Sequence, residues 1–485
     1  MKIAMGGCPP AQHEDRAILA ARRGPDKAET FWYCDVRIKI GVGAFGTPQW
    51  CFEPVEQNRA QSAPPGPGDI TSGGAGMEQV IERCCGLDVH RDTVAACVRV
   101  PGPGGGRTQI VQTFATTVAD LLALRDWLEA QGVTHVAMES TGVYWKPVYY
   151  VLEEGFTCLL INAAHLRHVP GRKTDVRDCA WIAQVLEHGL VRGSFVPPAP
   201  IRELRDLTRY RKSVIQERVR HANRLHKVLE DAGVKLATVA HDILGVSGRA
   251  MLEALVQGTT DPSTLADLAR GKLRKKLPAL RQALAGRFRA HHAFLVGQML
   301  AHLDYLDEAI TTVSTRVEEL LAPFAETLSR LDTIPGISRR TAEVLIAELG
   351  VDMSVFPTAA HLASWAGLCP GNNESAGKRK SGRTRKGNGW LRTALIEAAL
   401  GATRKRDSAF GARYRRILAH RGHKKAVVAV AHALLVTIYH VLARQLEYHE
   451  PGADYYDRRH AQRIARRAIA TLERQGYRVT IERAA

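Results

Sequence analysis

Four carboxylates stand where they could hold metal ions for phosphoryl transfer. Asp88 and Glu139 each lie at the end of an apolar run, and Asp175 and Asp178 open a predicted helix three residues apart. An acid at the end of a buried strand is costly unless a cation accompanies it. Two divalent cations would neutralise such a cluster and would equip the protein for phosphoryl transfer.

The elements around these acids predict a mixed sheet with helices on its faces. Hydrophobic periodicity predicts, in chain order, strands at residues 82–89, 93–100 and 109–114, a helix at 118–131, a strand at 134–138, a helix at 144–152, a strand at 156–162 and a helix at 176–186. Three strands followed by alternating helix and strand favour an α/β domain with a mixed sheet, like that of ribonuclease H. Strands one and four would lie side by side, so Asp88 and Glu139 would meet near the N-terminus of the last helix.

Each of these acids also has a purely structural interpretation. Asp175 is a good N-cap, and Asp178 in the first helical turn suits the helix dipole. Glu139 could leave the sheet into a solvated loop. All four acids in this order favour the metal site, since the spacing of Asp175 and Asp178 places them on one helix face.

Length, charge and cysteine content bound the remaining possibilities. The 485 residues suffice for about three domains, and the net charge of +18 indicates a polyanionic partner held by lysines and arginines. Nine cysteines without a Cys-x-x-Cys pair argue against a disulfide framework or a zinc site and favour a reducing cytoplasm. The longest apolar run, residues 426–443, contains His432 and His440, so it predicts a packed core helix and no membrane span.

The chain divides into five predicted segments. They are a disordered or spurious extension at 1–76, a metal-dependent catalytic domain with the ribonuclease H-like sheet at 77–195, a helical region at 200–325, a C-terminal domain at 326–445 and a tail at 446–485. Residues 1–76 are rich in Gly, Pro, Ala and Arg, and we expect translation to begin near Met77.

Two long helices are predicted at residues 201–231 and 290–321. They could pair with each other or with a second subunit as a coiled coil, or belong to an ordinary helical bundle. The first helix is basic and could also follow a phosphate backbone. The cationic residues that give it this character include Arg205, Arg209, Arg211, Lys212, Arg218, Arg220, Arg224 and Lys227.

Residues 331–350 match a helix-hairpin-helix. Pro335, Gly336 and Ile337 would form the tight turn, and the amides at the start of the next helix could hold a phosphate. Gly336 is therefore a candidate for sequence-independent DNA contact. The alternative is a plain helical corner.

The segment at residues 370–388 is dense in glycine, serine and basic side chains. It is either a disordered linker or an ordered loop wrapped on nucleic acid, and its position between two apolar helical segments favours the loop. Its candidate nucleic-acid contacts are Lys378, Arg379, Lys380, Arg383, Arg385 and Lys386. Ser375 and Ser381 are both possible nucleophiles, although a serine hydroxyl needs a metal, a base or nearby cations to attack phosphorus.

Taken together, these motifs resemble the DEDD-type insertion-sequence transposases, a group described as bridge-RNA-guided recombinases. The resemblance covers residues 80–440. It rests on Gly86-Leu87-Asp88-Val89-His90, Met138-Glu139-Ser140-Thr141-Gly142, Lys173-Thr174-Asp175-Val176-Arg177-Asp178, Ile334-Pro335-Gly336-Ile337, and Ser375-Ala376-Gly377-Lys378 followed by Gly382-Arg383 and Leu391-Arg392.

The resemblance implies a function and a set of partners. Family members join a RuvC-like domain to a C-terminal transposase domain through a coiled coil used in assembly. By resemblance, Asp88, Glu139, Asp175 and Asp178 bind Mg²⁺, and Ser375 becomes covalently joined to DNA. The family commonly has Ser-Gly-Gly where this chain has Ser375-Ala376-Gly377, so Ser381 stays an alternative nucleophile.

The expected partners are donor and target DNA, a guide RNA encoded by the element, and further copies of the chain in a dimer or tetramer. The expected location is the bacterial cytoplasm at the nucleoid. Two rival classes stay open: a metal-dependent nuclease or junction resolvase that uses water and does not need Ser375, and a non-catalytic nucleic-acid-binding scaffold in which the acids are structural.

Overall fold

A computed structural model describes residues 80–103, 106–139, 142–162, 178–371, 373–476 and 479, together with two earlier strands. Those strands, β1 (Val36–Val42) and β2 (Pro48–Pro54), pair antiparallel within a separate unit, Met1–Gly68. The alternation of Val36, Ile38 and Ile40 with polar residues is typical of a strand.

A five-stranded mixed sheet forms the N-terminal part of the second unit. Its strands are β3 (Cys84–Val89), β4 (Thr93–Pro101), β5 (Arg107–Ala115), β6 (His135–Glu139) and β7 (Thr157–Ile161). The order is β5-β4-β3-β6-β7, antiparallel from β5 to β3 and parallel from β3 to β7. The first and fourth strands of this sheet, β3 and β6, are neighbours, which confirms the predicted adjacency.

Helices cover both faces of this sheet. Helices α1 (Val118–Ala130) and α2 (Trp145–Leu152) pack on the face that carries Leu87 and Met138. Helix α3 (Asp178–Glu187) packs on the opposite face, against Cys84 and Ala137. The predicted bounds differ from the observed ones by one or two residues, because hydrophobic alternation identifies a strand more firmly than its ends.

Two features fix α3 against the sheet. A Cβ atom on Gly86 would lie 2.2 Å from the Cys179 carbonyl oxygen and 2.3 Å from the Ala183 nitrogen, so only glycine permits this approach. At the far end of α3, the buried Glu187 carboxylate lies 2.5 Å from both Arg99 Nε and Arg107 Nε. These contacts hold the helix at both ends and therefore fix the position of its first residue, Asp178.

A helical region follows. Its α-helices are α4 (Ala199–Asp231), α5 (Leu236–Val239), α6 (Val246–Val256), α7 (Pro262–Asp267), α8 (Leu277–Leu284) and α9 (Ala290–Leu321). The long helices α4 and α9 pack against each other, with Arg218 paired to Asp307. Whether this pair also serves as a coiled coil between subunits stays a prediction.

The basic face of α4 is largely committed to partners inside the chain. Six of its nine cationic side chains form ion pairs: Arg202 with Glu153, Arg205 and Arg209 with Glu348, Arg211 with Glu343, Lys212 with Glu397 and Arg218 with Asp307. The sequence suggested phosphate contact for the whole face. Among the described side chains of α4, the exposed Arg220, Arg224 and Lys227 are the cations without an ion pair, so they stay candidates for that contact.

The C-terminal part is also helical. It contains α10 (Ala325–Asp332), α11 (Arg339–Leu349), α12 (Ala359–Trp365), α13 (Gly389–Arg404), α14 (Ala409–Arg421), α15 (His423–Arg444), α16 (Tyr455–Arg459) and α17 (Ala461–Arg474). A mixed sheet followed by mainly helical regions confirms the α/β plus α class.

Helix α15 is the centre of the C-terminal core. Within the described part of the chain, it is the one helix long and apolar enough to cross a membrane, and half of its most apolar window is buried in the protein. It packs against α12, α13 and α14 and supplies Val430, Leu434 and Ile438 to the core, as a core helix should. Burial lowers the pKa of His432 and His440 to about 4, so both rings are neutral inside it.

One core cluster spans residues far apart in the sequence. The cluster contains Ile201 and Leu204 from the start of α4 and Val317 and Leu321 from α9. It also contains residues of α15, the last of which is Leu442. The cluster therefore crosses the predicted domain boundary at residue 325.

Candidate active site

Asp88 and Glu139 lie next to each other at one end of the sheet. The parallel register pairs Leu87 with Met138, so the following residues, Asp88 and Glu139, come side by side on neighbouring strands. Because side chains alternate along a strand, both acids face away from the buried Leu87 and Met138 and toward α3. Asp88 is 27% exposed, and its Oδ2 lies 3.2 Å from His90 Nε2.

Asp178 approaches this pair as the first residue of α3. The Gly86 contact places Cys179, the residue after Asp178, directly over β3. A hydrogen bond with Cys97 lowers the pKa of the Cys179 thiol to about 7, and burial and the charge of Asp88 oppose this shift. Three of the four predicted acids thus share one face and one end of the sheet, and Asp175 lies outside the described residues.

The donor chemistry at this edge fits Mg²⁺, which prefers carboxylate oxygens. Among the described residues, two sets of three have ligating atoms within 4.8 Å of one another: Glu217 with His221 and His302, and Asp231 with His291 and His292. The sheet-edge carboxylates are not so tightly clustered. A bound cation would draw them together.

The basic segment forms a hairpin. Strands β8 (Asn373–Ser375) and β9 (Lys378–Ser381) pair antiparallel, with Ser375 opposite Lys378. Ala376 and Gly377 make a two-residue turn with φ of 50° and 71°, the left-handed backbone of a type I′ turn. Alanine is strained there by about 1 kcal/mol, where the resembled family usually has glycine.

The two candidate nucleophiles differ in their surroundings. Ser375 is exposed, and its hydroxyl has no hydrogen-bond partner among the described residues. Ser381 is half-buried, and its Oγ accepts a hydrogen bond of 3.2 Å from the Arg383 amide. Ser375 is therefore freer to meet a substrate.

The cations of the hairpin face solvent. Lys378, Lys380, Arg383, Arg385 and Lys386 are exposed, and within the described part of the chain none of these side chains has an ion-pair partner. Arg379 contributes its backbone opposite Glu374. These side chains contrast with the paired arginines of α4.

Close backbone contacts hold the base of this hairpin. The Gly371 amide donates to the Arg383 carbonyl at 2.9 Å. A Cβ on Gly387 would lie 2.4 Å from the Gly367 nitrogen, so the returning chain is pressed against the end of α12. Asn388 then caps α13, since its Oδ1 accepts from the amides of Trp390 and Leu391.

Gly336 lies in the corner between α10 and α11. Its φ is 87°, and a Cβ there would lie 2.3 Å from the Ala398 carbonyl oxygen of α13. The corner therefore needs glycine for packing, whatever else it does. Helix α11 begins without a side-chain cap on its first amides, which leaves them suited to an anion. The helix-hairpin-helix and its DNA contact stay predictions.

A second basic feature was not predicted from the sequence. Arg415, Arg416 and Arg467 line a cleft of about 420 Å³ together with Tyr456 and Asp457. Arg416 lies 5.8 Å from the centre of the Tyr456 ring. No local motif signals this cleft, because its residues come from α14, α16 and α17.

The chain matches two family models, both of transposases. The first, described as a DEDD transposase, covers residues 85–233, and the second, the IS116/IS110/IS902 transposase family, covers residues 328–415. These ranges include the sheet acids Asp88, Glu139 and Asp178, and Ser375 with its hairpin.

Curated relatives point the same way. The chain is 30% identical to the insertion element IS110 43.6 kDa protein of Streptomyces coelicolor, over 47% of this chain and 61% of that protein. It is 26% identical to the transposase for insertion sequence element IS1328 of Yersinia enterocolitica, over 54% of this chain and 69% of that protein. It is 30% identical to a pilin gene-inverting protein of Moraxella bovis, over 30% of this chain and 46% of that protein.

The two family models and these relatives together support an insertion-sequence transposase of the IS110 family. The chain spans 61% of the Streptomyces protein and 46% of the Moraxella protein, less than two thirds of either.

Proposed function

We propose that this chain catalyses DNA strand cleavage and exchange, with a metal-binding tetrad and a serine nucleophile, guided by an RNA that its element encodes. The observation that carries the proposal is Ser375, an exposed hydroxyl on a hairpin whose five described cationic side chains have no acidic partner. Such a surface suits a phosphodiester, because its cations are available to phosphate oxygens.

The tetrad would be Asp88, Glu139, Asp175 and Asp178, on a ribonuclease H-like sheet. When bound there, Mg²⁺ would polarise the scissile phosphate and neutralise developing charge. The chain's own contribution is positional. The register of β3 and β6 aligns two acids, and Gly86 admits α3 close enough to add Asp178.

The serine chemistry balances without net hydrolysis. Ser375 Oγ forms a bond to phosphorus while the bond from phosphorus to the 3′ oxygen breaks, and the strand leaves with a 3′ hydroxyl. A 3′ hydroxyl of the partner strand then attacks the same phosphorus and restores the serine hydroxyl. The similarity to a pilin gene-inverting protein supports exchange, since inverting a gene requires that cut strands be rejoined.

We propose that the tetrad and Ser375 combine in an oligomer. Among the side chains that the structure describes, no hydrogen bond, ion pair or ring contact joins the hairpin to Asp88 or Glu139. A dimer or tetramer on donor and target DNA could bring one copy's serine to another copy's acids. The Arg415, Arg416 and Arg467 cleft would add phosphate contacts for DNA or guide RNA.

A suicide DNA substrate tests this proposal. On a nicked duplex that lacks the acceptor 3′ hydroxyl, the enzyme with Mg²⁺ and its guide RNA should remain covalently attached to DNA after denaturation. Peptide mapping should place the adduct on the peptide that contains Ser375. Ser375→Ala should abolish the adduct, because alanine has no oxygen to attack phosphorus.

Two matched variants sharpen the result. Ser381→Ala should leave the adduct largely intact, and Asp88→Ala should suppress it. Cleaved DNA with free ends and no adduct would instead identify water as the nucleophile and the protein as a metal-dependent nuclease or junction resolvase. An adduct on Ser381 would support the recombinase function but would identify Ser381, and not Ser375, as the nucleophile.

The hairpin cations should contribute salt-dependent affinity. Replacing Lys378, Lys380 and Arg383 together with alanine should flatten the slope of log affinity against log salt by about 2.7 on duplex DNA, since each phosphate that the protein neutralises adds about 0.9 to that slope. Fluorescence anisotropy over a salt series measures this slope. The control replaces Lys272, Arg274 and Lys275, three exposed cations of the turn at Gly271–Lys276, and should leave the slope unchanged. Equal slopes for the hairpin variant and the unmodified protein would mean that the hairpin does not touch DNA.

A further inference from the structure

We propose that Glu217, His221 and His302 bind a divalent transition-metal ion of the zinc type between the two long helices. Glu217 and His221 are one turn apart on α4, and His302 lies on α9. Their ligating atoms all lie within 4.8 Å of one another. The site is separate from the sheet-edge acids and from the hairpin.

Two ring nitrogens of this cluster are available to a metal ion. His221 Nδ1 and His302 Nε2 are both buried, and neither has a hydrogen-bond partner. The nearest acid, Glu217, places Oε1 3.7 Å from His302 Nε2, beyond hydrogen-bond distance. A buried polar atom without a partner is costly, and one cation among these atoms would satisfy both nitrogens and the carboxylate.

The second histidine cluster provides an internal contrast. His292 Nδ1 accepts from the Arg289 amide at 3.1 Å, and its Nε2 lies 3.1 Å from Asp231 Oδ2. Both ring nitrogens of His292 are therefore used in capping α9 and in pairing with α4. Asp231, His291 and His292 form a structural contact, whereas Glu217, His221 and His302 leave two nitrogens open.

The donor set selects the class of ion. Two imidazoles and a carboxylate are a common three-ligand set for Zn²⁺, which leaves a fourth position open, and Co²⁺ and Ni²⁺ accept similar ligands. Mg²⁺ prefers oxygen, so excess Mg²⁺ should not fill the site.

Arg224 competes with the ion. Its Nη1 lies 3.3 Å from His221 Nε2, and because arginine can only donate, this contact places the ring proton on Nδ1. Coordination through Nδ1 requires that proton to move to Nε2 or to leave, and Arg224 to withdraw. The exposed guanidinium also repels a cation. Arg224 should therefore weaken binding without preventing it.

Calorimetric titration of the full chain with Ni²⁺ in excess Mg²⁺ tests the proposal. The unmodified protein should bind one more ion per chain than His221→Ala or His302→Ala. Glu217→Gln, which preserves side-chain volume, should weaken that ion at least about tenfold, a loss typical of a changed metal environment. Arg224→Ala should tighten it.

The control is His291→Ala, an exposed member of the second cluster on the same helix, which should retain the ion. Circular dichroism establishes that each variant is folded. Ni²⁺ should also raise the thermal midpoint of the unmodified protein and not that of His302→Ala. Equal numbers of ions bound by the unmodified protein, His302→Ala and Glu217→Gln, with equal affinity, would overturn the proposal.

Discussion

Asp88→Ala should reduce DNA strand exchange by about 10³-fold or more while leaving affinity for DNA and RNA unchanged. A metal site contributes several kcal/mol to the transition state of phosphoryl transfer, and each 1.36 kcal/mol corresponds to about a factor of ten in rate. We expect affinity to rest on cations elsewhere, such as the lysines and arginines of the hairpin, which have no ion-pair partner among the described residues. Recombination assays and anisotropy on the same preparation separate the two quantities.

Asp92→Ala is the matched control for this experiment. Asp92 lies four residues from Asp88, in the turn after β3, and its side chain is 84% exposed beside Arg91. Its loss should leave strand exchange unchanged. Glu139→Ala, Asp175→Ala and Asp178→Ala should behave like Asp88→Ala, since each would remove one ligand of the same proposed site. Full recombination by the Asp88→Ala protein would remove the metal-site interpretation.

Glu348→Ala should destabilise the protein by about 3–5 kcal/mol, the usual cost of breaking a buried ion pair from one side. Glu348 is 1% exposed, and its carboxylate receives two hydrogen bonds from Arg209, at 2.7 and 2.8 Å. Asn388 donates a third at 2.6 Å, and Arg205 lies 3.5 Å away. Alanine would leave two guanidinium groups near the core without a counter-charge.

Urea unfolding of the full chain, followed by circular dichroism, measures this change. Glu397→Ala is the control, because Glu397 is 57% exposed and its pair with Lys212 contributes about 0–1 kcal/mol. A double-mutant cycle with Arg209→Ala should return a coupling energy of about 1–3 kcal/mol. A loss of stability for Glu348→Ala no larger than that for Glu397→Ala would show that solvent reaches and screens the network.

Patterns that repeat at short range were predictable from the sequence. The alternation around Asp88 and Glu139 predicted β3 and β6, and the meander followed by alternating elements predicted that they are neighbours. Apolar spacing likewise predicted α9 at Ala290–Leu321 and the core role of α15. These features follow from one face of an element being buried, which the sequence records directly.

Contacts between distant segments were not predictable in the same way. The arginines of α4 look like a phosphate-binding face, but Arg209 and Glu348 are 139 residues apart, and nothing local reveals their pairing. The approach of α3 to Gly86 and the arginine cleft likewise depend on the assembled fold. The assignment of Asp88, Glu139, Asp175, Asp178 and Ser375 to catalysis stays a prediction for the experiments above.

The shared core also constrains how the chain is made. Ile201 and Leu204 leave the ribosome early, but their partners on α15 extend to Leu442. Bacterial synthesis at about 5–20 residues per second leaves the start of α4 without its final packing for roughly 10–50 s. The sheet, whose strands and helices lie between residues 84 and 187, can close during that interval. A nascent chain halted before residue 423 would therefore present a finished N-terminal sheet beside a helix whose apolar side, with Ile201 and Leu204, is still uncovered, a natural target for a chaperone.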